Sequence, residues 1–115
     1  MSMTKDQFLS FGKTAPVPVD VPEWGTTVYI KMMSGKDRCR WYSETVADED
    51  AAAHNQASLL VKCLCDEQGT RLFSDSAEDM DAVNSKDWHA LKRITTEALK
   101  LNKLTSDADE DAKKN

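Results

Sequence analysis

Glycine is scarce in this chain, four residues in 115, and none falls in a run that could cradle a phosphate. Histidine is scarcer, with only His54 and His89. There are three cysteines, an odd number without framework spacing, which excludes a disulfide scaffold and points to a reducing cytosol. No apolar run approaches the length of a membrane-spanning helix, so no membrane partner is expected. The N-terminus lacks a basic segment followed by an apolar one, so no secretory signal is expected either. Positive charge is outweighed, with 15 Lys and Arg against 20 Asp and Glu and a formal charge of −5. That balance offers no phosphate-binding surface and argues against nucleic acid as a direct partner.

Catalytic and metal chemistry is equally thin. Cys63 and Cys65 form a Cys-x-Cys pair with His54 nine residues before it. On a helix, residues two apart point about 200° from each other. Two such thiols do not face one metal, and a fourth ligand is missing. Both cysteines read instead as small buried hydrophobes. Nothing sets His54 or His89 beside a cysteine with an oxyanion hole. The acidic clusters Asp48-Glu49-Asp50 and Asp107 to Asp111 lack the spacing of a calcium loop and read as solvated charge. The expectation is a protein that is not an enzyme and carries no cofactor or metal.

What the sequence does contain is pattern. Val17, Val19 and Val21 alternate with Pro18 and Asp20, and after Pro-Glu-Trp-Gly the alternation resumes at Val28, Ile30 and Met32. Strict alternation marks half-buried strands, and the Pro- and Gly-containing break makes them a β-hairpin. Pro16 and Pro18 lie two apart and remove the N–H groups from one side of the first strand, so that strand is expected at a sheet edge. Thr4 and Gln7 fit a capping box for a short helix that Gly12 would stop, with Phe8, Leu9 and Phe11 on its apolar side. Ser34 caps a second helix with a stripe of Cys39, Tyr42 and Val46. A third helix, about Asp50 to Cys65, carries Ala53, Ala57, Leu60, Val61 and Leu64 on its apolar face.

Asp66-Glu-Gln-Gly reads as a turn with Gly69 left-handed. Arg71-Leu72-Phe73 is the candidate third strand. Ser74 to Asp79 caps a short acidic helix with Met80 and Val83. Ser85 is the expected cap of the last helix, whose apolar face is Trp88, Leu91, Ile94, Ala98 and Leu101, with Asn102 closing it. The fold class is thus α+β, mainly α: an N-terminal β-hairpin, with a candidate third short strand, packed on a small bundle of three to four helices. Residues 1–15 form a short helix and lead-in, 16–104 the domain, and 105–115 an acidic tail expected to be disordered.

The tryptophans suggest contact with other proteins. Trp24 falls in a turn and Trp41 beside the apolar stripe of its helix. With Trp88 and Leu91 on the last helix, they are candidate protein-interface residues. Packing over the chain's own small core is the competing use of the same side chains. An alanine-rich helix and a wide apolar last helix leave surface that one small domain does not cover, so self-association is expected.

Four segments carry a resemblance: Val21-Pro-Glu-Trp-Gly-Thr-Thr-Val-Tyr-Ile, Met33-Ser-Gly-Lys-Asp-Arg, Leu60 through Asp75, and Leu99-Lys-Leu-Asn-Lys-Leu. Together they resemble the tail assembly chaperone family of long, non-contractile-tailed (siphovirus) bacteriophages, over about Pro16 to Leu104. The run Asp66-Glu-Gln-Gly-Thr-Arg-Leu-Phe is the most specific part. The chain departs from that pattern at Cys63 and Cys65, where aliphatic residues are expected, and at Lys103, where glycine is common.

The resemblance implies a non-enzymatic protein of the host cell cytoplasm, absent from the mature virion. It would bind the tape measure protein and keep it soluble during tail morphogenesis. A homo-oligomer is implied. So is a longer form made by translational frameshift, through which the tail tube protein is recruited; this chain would be the short form. Lys113-Lys114 stands where an adenine-rich slippery codon pair would lie. The competing reading is another small non-enzymatic tail or head–tail component that stays in the virion.

Overall fold

The computed structural model describes residues 2–12, 15–45 and 51–104. Over these, five helices accompany a three-stranded antiparallel sheet, an α+β fold that is mainly helical. Helix α1 (Lys5–Ser10) is followed by strands β1 (Val17–Val21) and β2 (Thr26–Ile30), joined by a 3₁₀ turn at Pro22–Trp24. Then come helices α2 (Gly35–Glu44) and α3 (Ala51–Cys63), strand β3 (Leu64–Cys65), and helices α4 (Ala77–Asn84) and α5 (Trp88–Leu101).

The hairpin forms where the alternation places it. Val17 faces Ile30, Val19 faces Val28 and Val21 faces Thr26. Gly25 takes φ +63° after Pro22–Trp24, a left-handed turn that glycine adopts without steric cost. The sheet order is β1-β2-β3, so the proline-bearing strand lies at an edge, as expected from its missing donors. Val19, Val21 and Ile30 point into the core. Beyond β2 the alternation breaks: Met32 is exposed and Met33 is buried.

Helix α3 runs through the middle of the molecule and is buried continuously from Ala57 to Cys63. It packs against α2, α4 and α5. Helix α5 is amphipathic and lays Leu91, Ile94 and Ala98 on the core. Side chains such as Ile30, Leu60 and Ile94 each contribute roughly 2 kcal/mol by leaving water. Asn102 closes α5 from a buried position. Its Oδ1 accepts the Met33 N–H at 2.9 Å, and its Nδ2 donates to the Ala98 carbonyl at 2.8 Å. The capping box at Thr4 and the caps at Ser34 and Ser76 form as side-chain to backbone hydrogen bonds.

Several expectations are corrected. The third strand is Leu64–Cys65, pairing with Ile30 and Tyr29, and Arg71 makes only a single bridge to Cys65. Helix α3 therefore ends at Cys63, so the angle between helical residues two apart does not describe the Cys63–Cys65 pair, which straddles a helix–strand junction. Both thiols are buried. Ser85 closes α4 with its N–H on the Ala82 carbonyl, and Asp87 is the cap of α5. Trp88, expected on the buried face of α5, is 63% exposed. Ala53 is exposed.

Helix α2 departs furthest from its expected stripe. Cys39 and Tyr42 are exposed, and the side turned inward is Asp37, Arg38, Trp41 and Glu44, none of them fully buried. A polar inner face is invisible to a search for apolar spacing. Val46, the acidic cluster Asp48-Glu49-Asp50 and the tail 105–115 lie outside the described residues.

Candidate functional site

An apolar groove of about 420 Å³ opens between the sheet, α4 and α5. Val28 and Leu64 supply its sheet side, Val83 its α4 side, and Leu91 and Ile94 its floor from α5. Leu72 and Phe73 form the remaining wall and Trp24 closes one end.

The wall exists because of a tight turn. The Asp66 carboxylate accepts the N–H groups of Gln68 and Thr70, each at 2.9 Å, and Gly69 takes φ +86°. The chain reverses and the Leu72 N–H donates to the Leu64 carbonyl at 3.1 Å. Ser74 then donates to Asp79 through both its N–H and its hydroxyl, which ties the segment to the first turn of α4.

Trp24 is held from the other side. Its indole N–H donates to Asp87 Oδ1 at 2.8 Å, while Asp87 Oδ2 accepts the Ala90 N–H at 3.0 Å. One carboxylate thus caps α5 and anchors the tryptophan. The bond from Trp24, then that from Ala90, hold the Asp87 carboxyl below its ordinary pKa. Glu23 adds an ion pair to Arg93 at 2.9 Å.

The structure therefore brings two of the four candidate interface residues together: Trp24 at the end of the groove and Leu91, largely buried, in its floor. Trp88 stands outside on the solvent side of α5, with the Lys92 ammonium 4.7 Å from its ring. Trp41 is on another part of the molecule, half buried between α2 and α3, with its indole N–H on the Asn55 carbonyl at 3.2 Å. Leu72 and Phe73 were not among the candidates. Their signal was the Asp-Glu-Gln-Gly turn before them, which places whatever follows it back beside β3.

A second feature had a weaker signal: Lys62, fully buried inside the run Leu59 to Cys65. Its ammonium lies 3.0 Å from Glu44 Oε2 and 3.1 Å from Asp75 Oδ1, and donates to the Ser58 hydroxyl at 3.0 Å. Arg40 reaches both carboxylates and Arg71 reaches Asp75 and Asp37. This network joins α2, α3 and the segment before α4 by charge rather than by apolar contact. Burial pushes the Cys63 thiol up to about 11, far from the thiolate that metal binding or nucleophilic attack requires. Among the described residues, no group of three or more His, Cys, Asp or Glu is placed to hold a metal ion, and no helix is long and apolar enough to cross a membrane.

The domain is α+β and mainly helical, with an apolar recess rimmed by Trp24 and Leu72. Its sequence matches the profile of the phage tail assembly chaperones over residues 10–114, and the chain belongs to that family. Its fold is similar to the solved structure of the tail assembly chaperone of bacteriophage HK97, with a TM-score of 0.58 and 26% sequence identity over 82% of this chain and 89% of that one. No curated protein matches the chain.

Proposed function

We propose that this chain binds the tape measure protein of a siphovirus and keeps it soluble during tail assembly, working in the host cytoplasm without catalysis and leaving no copy in the finished virion. The groove is the observation that carries the reading. An amphipathic helix of the client would place one or two apolar side chains among Trp24, Leu72 and Leu91, the mode by which helices dock in apolar clefts. Membership in the tail assembly chaperones supports it. The chain is read as the short form. A frameshift near Lys113-Lys114 would append the part that recruits the tail tube protein, and homo-oligomers would line up along the client.

Co-expression tests the proposal. The client is expected to move from the pellet to the supernatant, and Ala82→Arg, which fills the groove from an exposed position, is expected to send it back. Mass spectrometry of purified virions is expected to miss this chain. A client that stays insoluble with both proteins well expressed, or a virion that contains the chain in stoichiometric amount, overturns it.

A further inference from the structure

We propose that Lys86 selects the helix that enters the groove: the client segment carries an Asp or Glu beside its apolar anchors, and this carboxylate pairs with the Lys86 ammonium at the mouth. This rests on the reading of the groove as a docking surface for an amphipathic helix, and names the charge that such a helix brings.

Lys86 is the one charged residue among those that line the groove; the others, apart from Ser85, are apolar or aromatic. It is exposed, and among the described residues no carboxylate pairs with its ammonium. Its backbone is fixed from both sides. Its own N–H donates to the Val83 carbonyl at 3.3 Å where α4 ends, and the next residue, Asp87, caps α5 through the Ala90 N–H. Lys86 thus stands just before the N-terminus of a 14-residue helix, where the aligned peptide dipoles add to the positive potential.

The carboxylates that belong to the end and wall of the groove are already engaged. Asp87 accepts the Trp24 indole N–H and the Ala90 N–H. Glu23 is held by Arg93 at 2.9 Å, and Asp79 accepts from the Ser74 N–H and hydroxyl. Glu78 and Asp81 of α4 do not line the groove. An ammonium at an apolar mouth is left without a counter-charge. A client helix with only apolar surface would take water from that charge and return nothing, which costs free energy, and a basic helix would add repulsion. A carboxylate offsets both. Residues three or four apart share a helix face, so an acid one turn from an anchor reaches the rim while the anchor sits beside Leu91. This preference runs against the net charge of −5, which attracts a basic helix at long range.

The test uses the full-length chain and two fluorescein-labelled synthetic helices. Both carry the same leucine stripe; the positions flanking it are Glu in one and Lys in the other. Fluorescence anisotropy at low ionic strength is expected to show the unmodified chain binding the Glu helix about fivefold more tightly, with a margin that narrows as salt is added, because the rim is open to solvent. Lys86→Met is expected to lose the preference and Lys86→Glu to reverse it; the position is exposed, and a thermal melt checks that each variant is folded. Lys36→Ala, which removes an exposed lysine of α2 outside the groove, is expected to keep the preference. Equal binding of the two helices, a preference for the Lys helix, or a preference that survives Lys86→Met overturns the proposal and leaves the groove as a docking surface. Ala82→Arg is expected to lose both helices. Binding that persists in Ala82→Arg, or no binding of either helix to the unmodified chain, overturns the groove reading and this proposal with it.

Discussion

Lys62→Met is expected to cost little, and removal of a carboxylate facing Lys62 much more. The ammonium is fully buried and touches Glu44, Asp75 and Ser58. When the lysine charge goes, both carboxylates keep cations. Glu44 retains Arg40 at 2.7 Å, and Asp75 retains Arg71 at 2.9 Å and Arg40 at 3.4 Å. Methionine fills most of the lysine stem, and the desolvation of one ammonium is recovered. The expected loss is about 1 kcal/mol, since an apolar isostere of a buried ion is often near neutral. Asp75→Ala is the opposite case. It leaves the buried ammonium with fewer acceptors and takes the nearer of the two carboxylates that face Arg71 at the same time. The expected loss is about 3 kcal/mol, the low end for a broken buried pair, because Glu44 and Asp75 retain some contact with water. Urea unfolding reads the difference. At a slope near 1.5 kcal/mol/M the midpoint should fall by about 2 M for Asp75→Ala and by less than about 1 M for Lys62→Met. Equal losses would refute the idea that the arginines compensate.

The same network predicts a dependence on pH. Burial pushes the Glu44 and Asp75 carboxyls up, but hydrogen bonds from Arg40, Lys62 and Ser58 to Glu44, and from Arg71 and Lys62 to Asp75, leave both below their ordinary values. A carboxyl with a lowered folded pKa contributes stability above its unfolded pKa, about 4, and that contribution is lost as pH falls through the folded value. The unmodified protein should therefore lose stability below about pH 4. Lys62→Met should fall less steeply, because one of the interactions lowering both groups is gone.

Asn102→Ala strands the Met33 N–H in the core and should cost about 2 kcal/mol, with faster hydrogen exchange at that amide as the local signature. Native protein should take up one alkylating group, at exposed Cys39, while Cys63 and Cys65 react only in denaturant; two or three labels under native conditions would contradict their burial. Lys103 adopts φ +56°, where a side chain is strained and glycine is not, so Lys103→Gly should stabilise by about 1 kcal/mol and raise Tm by about 4–8 °C in a thermal melt.

What the sequence could tell was set by whether a structure is local. The hairpin was legible because Val17 to Met32 contains alternation, a turn and two prolines that forbid pairing on one side. The caps at Thr4 and Ser34 were legible because the bond spans three residues; for α4 only the stretch Ser74 to Asp79 was, and the cap within it is Ser76. Helix α2 was misread because its inner face is charged: its partners Lys62, Arg71 and Asn102 are far away in sequence, and no local period encodes them. Strand β3 was missed because Leu59 to Cys65 is one run, apolar except for Lys62, and only the pairing with Tyr29 and Ile30 divides it into helix and strand. Ser85 and Asp87 are both good caps, and the hydrogen bonds that close α4 take the first. Of the candidate interface residues, Trp24 and Leu91 meet only through tertiary packing, so their adjacency lay beyond any local pattern.

The groove and the charge network meet at Arg71, and coupling between them through that residue is expected. Its backbone bridges Cys65, its Nε donates to the Val61 carbonyl at 3.0 Å, and its guanidinium pairs with Asp75, the same carboxylate that faces Lys62. The next two residues, Leu72 and Phe73, are the wall of the groove. The chain leaves the sheet after that one bridge, and the arginine side chain lies with the buried charges. Asp75 thus pairs with the residue that precedes the wall. Its loss should loosen Leu72 and Phe73, whereas Lys62→Met leaves the Arg71–Asp75 pair intact and should not. With Trp41 and Trp88 replaced by phenylalanine, so that Trp24 alone reports, acrylamide quenching should rise in Asp75→Ala and stay unchanged in Lys62→Met. Equal quenching in the two variants, both folded, would mean that the wall stands without the arginine and that the network and the groove are separate devices.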